Sequence, residues 1–169
     1  MNLIVYAEAS AGTYPGHMVV GQVRAEGDSS FFGFRFDPAD LPEEHRSIEK
    51  WRGYLSDHAV PGIIVDESLY VEQLLLANRG DYFEKRAACE IEIRSRIPAE
   101  EKWYPYAWYS FNPDDPHLKM QPCFNCVKWA IMVGNGLVKG FLPEVHQGRV
   151  TSVLKHLVER SRGPLEESS

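Results

Sequence analysis

The sequence predicts a single α+β domain in which an antiparallel sheet packs against helices. Three observations predict it. Residues 17–36 read as two β-rich runs joined by a turn, the pattern of an antiparallel hairpin. Several later stretches carry apolar residues at helical spacing. The 169 residues, 44% of them apolar and 25% charged, show neither an internal repeat nor a linker long enough to split them, so one sizeable core is expected. The domain is placed at residues 1–162, with 163–169 as a polar tail.

In order along the chain, Leu3 to Glu8 reads as a first strand, and the glycine- and proline-containing stretch 9–16 as a loop. His17 to Arg24 is a second strand, Gly27-Asp28-Ser29-Ser30 the turn, and Phe31 to Phe36 a third strand. Pro42 to about Asp57 is helical, with Ile48, Trp51 and Leu55 on one face. Pro61-Gly62 breaks it, and Ile63-Ile64-Val65 is a short strand. Asp66 caps a helix running to about Asn78. From Ala88 to Arg94, Cys89, Ile91 and Ile93 alternate with charged residues, which predicts a half-buried strand. A helix start at Pro98 leads into an aromatic run, Trp103 to Phe111, that reads either as a core-facing segment or as the lining of a groove. Asn125 opens an apolar helix that stops near Asn135-Gly136, and 148–160 forms a last amphipathic helix with Val150, Val153, Leu154 and Leu157 on one face.

The net charge of −6 argues against a general affinity for nucleic acid or anionic lipid. No apolar run reaches membrane-spanning length. The first residues read as a strand rather than a signal peptide, because no basic region precedes the short apolar run. Three cysteines, Cys89, Cys123 and Cys126, do not make a disulfide scaffold. A cytoplasmic protein is expected, or one secreted without a cleaved signal in the manner of an effector.

Cys126 is the first chemical candidate. In the first turn of a helix, backbone N–H groups are unpaired and the dipole favours negative charge, so a thiolate there is stabilised. A buried free cysteine on a core helix is the competing reading. His17 is the second candidate. An imidazole at the start of a strand, beside a loop, can be held rigidly and still exchange a proton with a thiol or a leaving group; equally, a lone histidine is an ordinary packed residue. Cys123 and Cys126 form a C-x-x-C pair. A zinc site would need two further ligands, for which only His117 and Cys89 offer themselves, and a redox pair would follow a strand rather than Pro122. No metal or other cofactor is therefore expected. The acidic pairs Glu43-Glu44 and Asp114-Asp115 read as solvated surface.

Gly16-His17 with the strand Met18 to Val23, and Asn125-Cys126-Val127-Lys128-Trp129-Ala130, together resemble the circularly permuted branch of the papain-like (NlpC/P60) superfamily. In that branch, which includes lecithin:retinol acyltransferase-like proteins and PPPDE thiol peptidases, the histidine strand comes first and the cysteine helix last. The two motifs cover about a fifth of the chain. The resemblance implies a Cys-His dyad, with Cys126 as nucleophile and His17 as general base and then acid. It implies a thiol hydrolase of peptidase or amidase type acting on an amide or isopeptide bond. A lipid or ester acyltransferase and a catalytically inert binding module of the same fold are the alternatives. The Cys126 backbone N–H would serve as one oxyanion donor, and Gln121 or Tyr14 as a side-chain donor. The strand that usually carries a third polar residue is here Phe31 to Phe36 and has no histidine, asparagine or carboxylate at its centre. A dyad is therefore expected, its imidazole oriented by a backbone carbonyl or by one of Asp28, Ser30, Asp37, Glu90 and Glu92. The expected partner is a peptide, isopeptide or amide substrate.

Overall fold

Central strands buried on both faces organise the molecule around one sheet. The computed structural model describes residues 1–8, 16–77, 82–95, 97, 105–107, 125–143, 153 and 155. Six strands, β1 (Asn2–Glu8), β2 (His17–Val23), β3 (Ser29–Phe36), β4 (Val60–Asp66), β5 (Tyr82–Ala88) and β6 (Pro105–Tyr106), form a sheet of order β5-β1-β2-β3-β4-β6. Every neighbouring pair is antiparallel. The helices are α1 (Ile48–Leu55), α2 (Ser68–Ala77) and α3 (Cys126–Leu137). The α+β class and the 17–36 hairpin are as expected from the sequence.

Successive side chains of a strand point to opposite faces, and here the two faces meet different helices. Leu3, Val5, Ala7, Met18, Val20, Phe32 and Phe34 join Val127, Trp129, Ala130 and Val133 of α3 in the larger core. Phe34 stacks on Trp129 with ring centroids 6.2 Å apart. On the other face Ile4, Tyr6, Val19 and Phe31 pack against Val71 of α2. His17, Gly33 and Arg35 share that second face by register.

Three expectations are corrected. The strand expected at 88–94 lies earlier, at β5, and residues 89–95 turn away and end in a 3₁₀ turn at Ile93–Ser95. The Gln22 side chain causes this: its amide donates to Ile91 O at 2.6 Å and its oxygen accepts from Ile93 N at 2.6 Å, taking both groups out of any ladder. Cys89 and Ile93 are buried while Ile91 is exposed, so the alternating pattern does not alternate in burial. The helix expected from Pro42 begins only at Ile48, after 3₁₀ turns at Pro38–Asp40 and Glu43–His45. Pro61-Gly62, read as a break, lies inside β4; Pro61 faces Pro105 of the two-residue edge strand β6. An edge position is where a residue without an N–H is tolerated in a sheet.

The helix after Asn125 is as expected, running one residue past Gly136. Asn135 near its end accepts from Leu142 N and donates to Leu142 O, latching the following chain to the helix. Of the helix expected at 148–160, only Val153, helical and buried, and Lys155 are described. The rest of it, the tail from 163, and the aromatic run apart from Pro105-Tyr106-Ala107 lie outside the described residues. No helix among the described residues is long and apolar enough to cross a membrane.

Candidate functional site

The site sits where the sheet forks. β2 and β3 are paired only between Val20–Phe32 and Val23–Ser29. Beyond Val20, β2 continues to His17 paired with β1. Beyond Phe32, β3 continues to Phe36 paired with β4. The two strands part, and the N-terminus of α3, which packs on both of them, lies against the opening. A thiol carried on one face of the sheet can therefore meet an imidazole carried on the other.

Each partner is held by its local sequence. Gly16 has φ 81°, a conformation that a residue with a Cβ adopts only at a cost, and it delivers the chain into β2 so that His17 is the first strand residue. Asn125 has extended backbone angles and its side chain accepts from Lys128 N at 2.9 Å, a regular N-cap. This makes Cys126 the first residue of α3. Cys126 and His17 are both buried, and they are near enough for each to shift the other's ionisation. The backbone of Met18, in the mouth of the fork, is a further neighbour that favours the charged form of the Cys126 sulfur.

Behind the imidazole stands a carboxylate that the sequence did not reveal. His17 Nε2 lies 2.8 Å from Glu67 Oε1, which leaves Nδ1 for the sulfur. Glu67 occupies the junction of β4 and α2, where its own N–H donates to Phe31 O at 2.8 Å and its carbonyl accepts from Val71 N at 3.0 Å. Its side chain is only 4% exposed. Arg35 braces it from the adjacent strand, Nε to Oε1 at 2.5 Å and an NH₂ group to Oε2 at 3.1 Å. Room for the carboxylate comes from Gly33, where an added Cβ would stand 2.4 Å from Glu67 Oε1. Tyr70 of α2 meets the His17 ring edge-on at 5.2 Å, lies beneath the Arg35 guanidinium, and donates its hydroxyl to Glu8 at 2.9 Å.

These contacts govern charge. Burial opposes ionisation of the Cys126 thiol, but the hydrogen bond and positive charge of His17, the Met18 N–H and the Arg35 cation outweigh it and pull its pKa below the ordinary value. Burial likewise opposes a charged His17, yet the bonds to Cys126 and Glu67 raise its pKa. Burial would push Glu67 up; His17 and Arg35 hold it below the usual carboxylate range. All three shifts favour one state, a thiolate beside an imidazolium backed by a carboxylate. Burial, and after it the charge of the Cys126 sulfur, lift the pKa of the Tyr106 phenol, from β6, well above the ordinary tyrosine value.

The structure thus brings together Cys126 and His17 among the residues singled out from sequence. Gln121 and Tyr14 lie outside the described residues, as does Cys123. Asp28 does not join the site. It lies in the β2–β3 turn, at the opposite end of β2 from His17 and about 20 Å away along a strand that rises about 3.3 Å per residue. Glu92 pairs with Arg24, Asp37 caps the turn at 38–40, and Glu90 is exposed. The orienting group is the Glu67 carboxylate rather than a backbone carbonyl. Its trace in the sequence was indirect: a glycine in the middle of an aromatic strand marks a close approach, and Arg35, two residues on, shares its face. Cys89 lies beside Gln22 near the far end of β2 from His17. Among the described residues no group of three or more His, Cys, Asp or Glu side chains could hold a metal ion.

Compared with protein-family models, with curated proteins and with solved structures, the chain matches none.

Proposed function

We propose that this chain is a thiol hydrolase of peptidase or amidase type, a permuted papain-like (NlpC/P60-like) domain that cleaves an amide or isopeptide bond through an acyl-enzyme on Cys126. The observation that carries the reading is the contact of Cys126 with His17 across the fork between β2 and β3, with Glu67 fixed behind the imidazole. A nucleophile, a base in hydrogen-bond reach and a group that orients the base are the parts that covalent catalysis at a carbonyl needs. The chain order, histidine strand before cysteine helix, agrees with the permuted arrangement.

The chemistry follows from the charges. The Cys126 thiolate attacks the carbonyl carbon, forming the C–S bond while the carbonyl π pair moves onto oxygen. The first-turn N–H of Cys126 donates to that oxygen. The His17 imidazolium gives its Nδ1 proton to the departing amine as the C–N bond breaks, leaving a thioester and a neutral imidazole. Nδ1 then takes a proton from water as the water oxygen attacks the thioester. Collapse of the second tetrahedral intermediate expels the thiolate and releases the acid. Glu67, accepting from Nε2–H throughout, fixes the tautomer in which Nδ1 is the proton carrier.

The test is direct. Wild type, Cys126→Ala and Cys123→Ala are treated with a thiol-reactive acyl electrophile and read by mass spectrometry. Acylation is expected on wild type and Cys123→Ala and absent from Cys126→Ala. Labelling that survives in Cys126→Ala and disappears in Cys123→Ala assigns the chemistry to the other sulfur.

A further inference from the structure

In the acyl-transfer reading His17 Nδ1 gives a proton to the leaving amine and later takes one from water, so the plane of the imidazole has to be fixed. The hydrogen bond to Glu67 does not fix it alone. The torsion about the histidine Cβ–Cγ bond is broad. Nε2 lies closer to that axis than Nδ1 does, so a bond at Nε2 resists rotation weakly while Nδ1 swings on the wider radius. A contact with the ring itself is needed, and Tyr70 supplies one. Its ring meets the imidazole at 82° with centroids 5.2 Å apart, an attractive edge-to-face arrangement.

Tyr70 is itself held at two points. Its hydroxyl donates to Glu8 Oε1 at 2.9 Å, and Glu8 is a buried residue directly opposite His17 in the β1–β2 register. Its ring lies 5.2 Å from the Arg35 guanidinium carbon, within cation–π range. Arg35 in turn donates to both oxygens of Glu67, and Glu67 Oε1 is 2.8 Å from His17 Nε2. These contacts close a circuit, from His17 to Glu67 to Arg35 to Tyr70 and back to His17, built from β2, the β4–α2 junction, β3 and α2. In a closed circuit no member turns without disturbing two others. We infer that Tyr70 is a positioning residue: its ring, anchored through Glu8 and Arg35, sets the plane of the His17 imidazole and with it the direction of Nδ1. The use made of Nδ1 rests on the acyl-transfer reading, but the hold on the ring is observable without any acyl-enzyme.

Tyr70→Phe keeps the ring. Tyr70→Leu and Tyr70→Met fill this half-buried position without a plane, so one serves should the other fail to fold. The first readout is the proton resonance of the Nε2–H that Glu67 accepts, observed in protein carrying ¹⁵N-labelled histidine. Wild type and Tyr70→Phe should show it resolved and downfield; the aliphatic variants should lose it to exchange with water while their amide spectra remain those of a folded protein. The second readout is hydrolysis of the acetyl-enzyme formed on Cys126 by p-nitrophenyl acetate, followed by mass spectrometry. It should slow by about 10–10²-fold in the aliphatic variants, the scale of an ångström-sized misplacement, and stay within about threefold of wild type in Tyr70→Phe. An equally sharp resonance in the aliphatic variants, or none in wild type, overturns the positioning role. Unchanged deacylation in those variants overturns it too, and a loss in Tyr70→Phe equal to theirs moves the effect from the ring to the hydroxyl and overturns it likewise. If wild type is never acylated while the resonance behaves as expected, the acyl-transfer reading fails and the hold of Tyr70 on the imidazole stands.

Discussion

Glu67→Gln isolates the role of the carboxylate behind His17 with almost no change in shape. In the wild type the bond from Nε2 to Oε1 is 2.8 Å long and the Glu67 side chain is 4% exposed, so solvent screens it little. A hydrogen bond with a charged partner contributes about 1.5–3 kcal/mol. That free energy favours the imidazolium and, through it, the Cys126 thiolate. Removing it lowers the population of the ion pair by about ten- to 150-fold at a pH where the pair is the reactive form. The glutamine amide can also donate to Nε2, which stabilises a neutral tautomer with its proton on the wrong nitrogen. The assay is the rate of iodoacetamide alkylation of Cys126 against pH, followed by mass spectrometry. The variant should alkylate at least tenfold more slowly at neutral pH, with its pH profile displaced upward. Superimposable profiles would refute the coupling of Glu67 to the sulfur.

Gly33→Ala places a methyl group 2.4 Å from Glu67 Oε1, so the carboxylate must move; a stability loss of about 1–3 kcal/mol is expected, along with slower alkylation of Cys126. Because Glu67→Ala vacates that space, the double variant should be less destabilised than the sum of the singles, and strict additivity in urea denaturation contradicts the steric account. Asn125→Ala removes the cap on α3 and should cost about 0.5–2 kcal/mol by the same measurement; no loss means the cap bond to Lys128 N contributes nothing. The depressed pKa of Glu67 also has a pH signature. A carboxyl held low in the fold contributes stability that is present above its unfolded pKa and lost as pH falls through its folded value. The stability gap between wild type and Glu67→Gln should therefore narrow on acidification from about pH 6 to about pH 3, since the unfolded carboxyl titrates near ~4.3. A gap that is constant with pH contradicts the shift.

Much of this arrangement was legible in the chain, and the parts that were not share one cause. His17 and Cys126 each stand on a local signal: a glycine opening a strand, and a capping asparagine opening an apolar helix. Local signals survive translation into structure because they depend on neighbours within a turn. Glu67 lies 50 residues from His17, and only the register of β2, β3 and β4 brings them together. No periodicity encodes that register. The same limit explains residues 89–95, where the Gln22 side chain overrides an alternating pattern that in isolation reads as strand. Tyr106 was seen only as one ring in an aromatic run, and its pairing on the sheet edge sets it apart.

The most direct measurement is the ultraviolet titration of the Cys126 thiolate in wild type and in His17→Ala, each read as a difference from the matching Cys126→Ala protein. Proton sharing between the two side chains predicts a wild-type sulfur that ionises below the ordinary thiol range. In His17→Ala the titration should move upward, past the ordinary value, because burial then acts without its strongest opponent. Identical curves for the two proteins would contradict the account at its root.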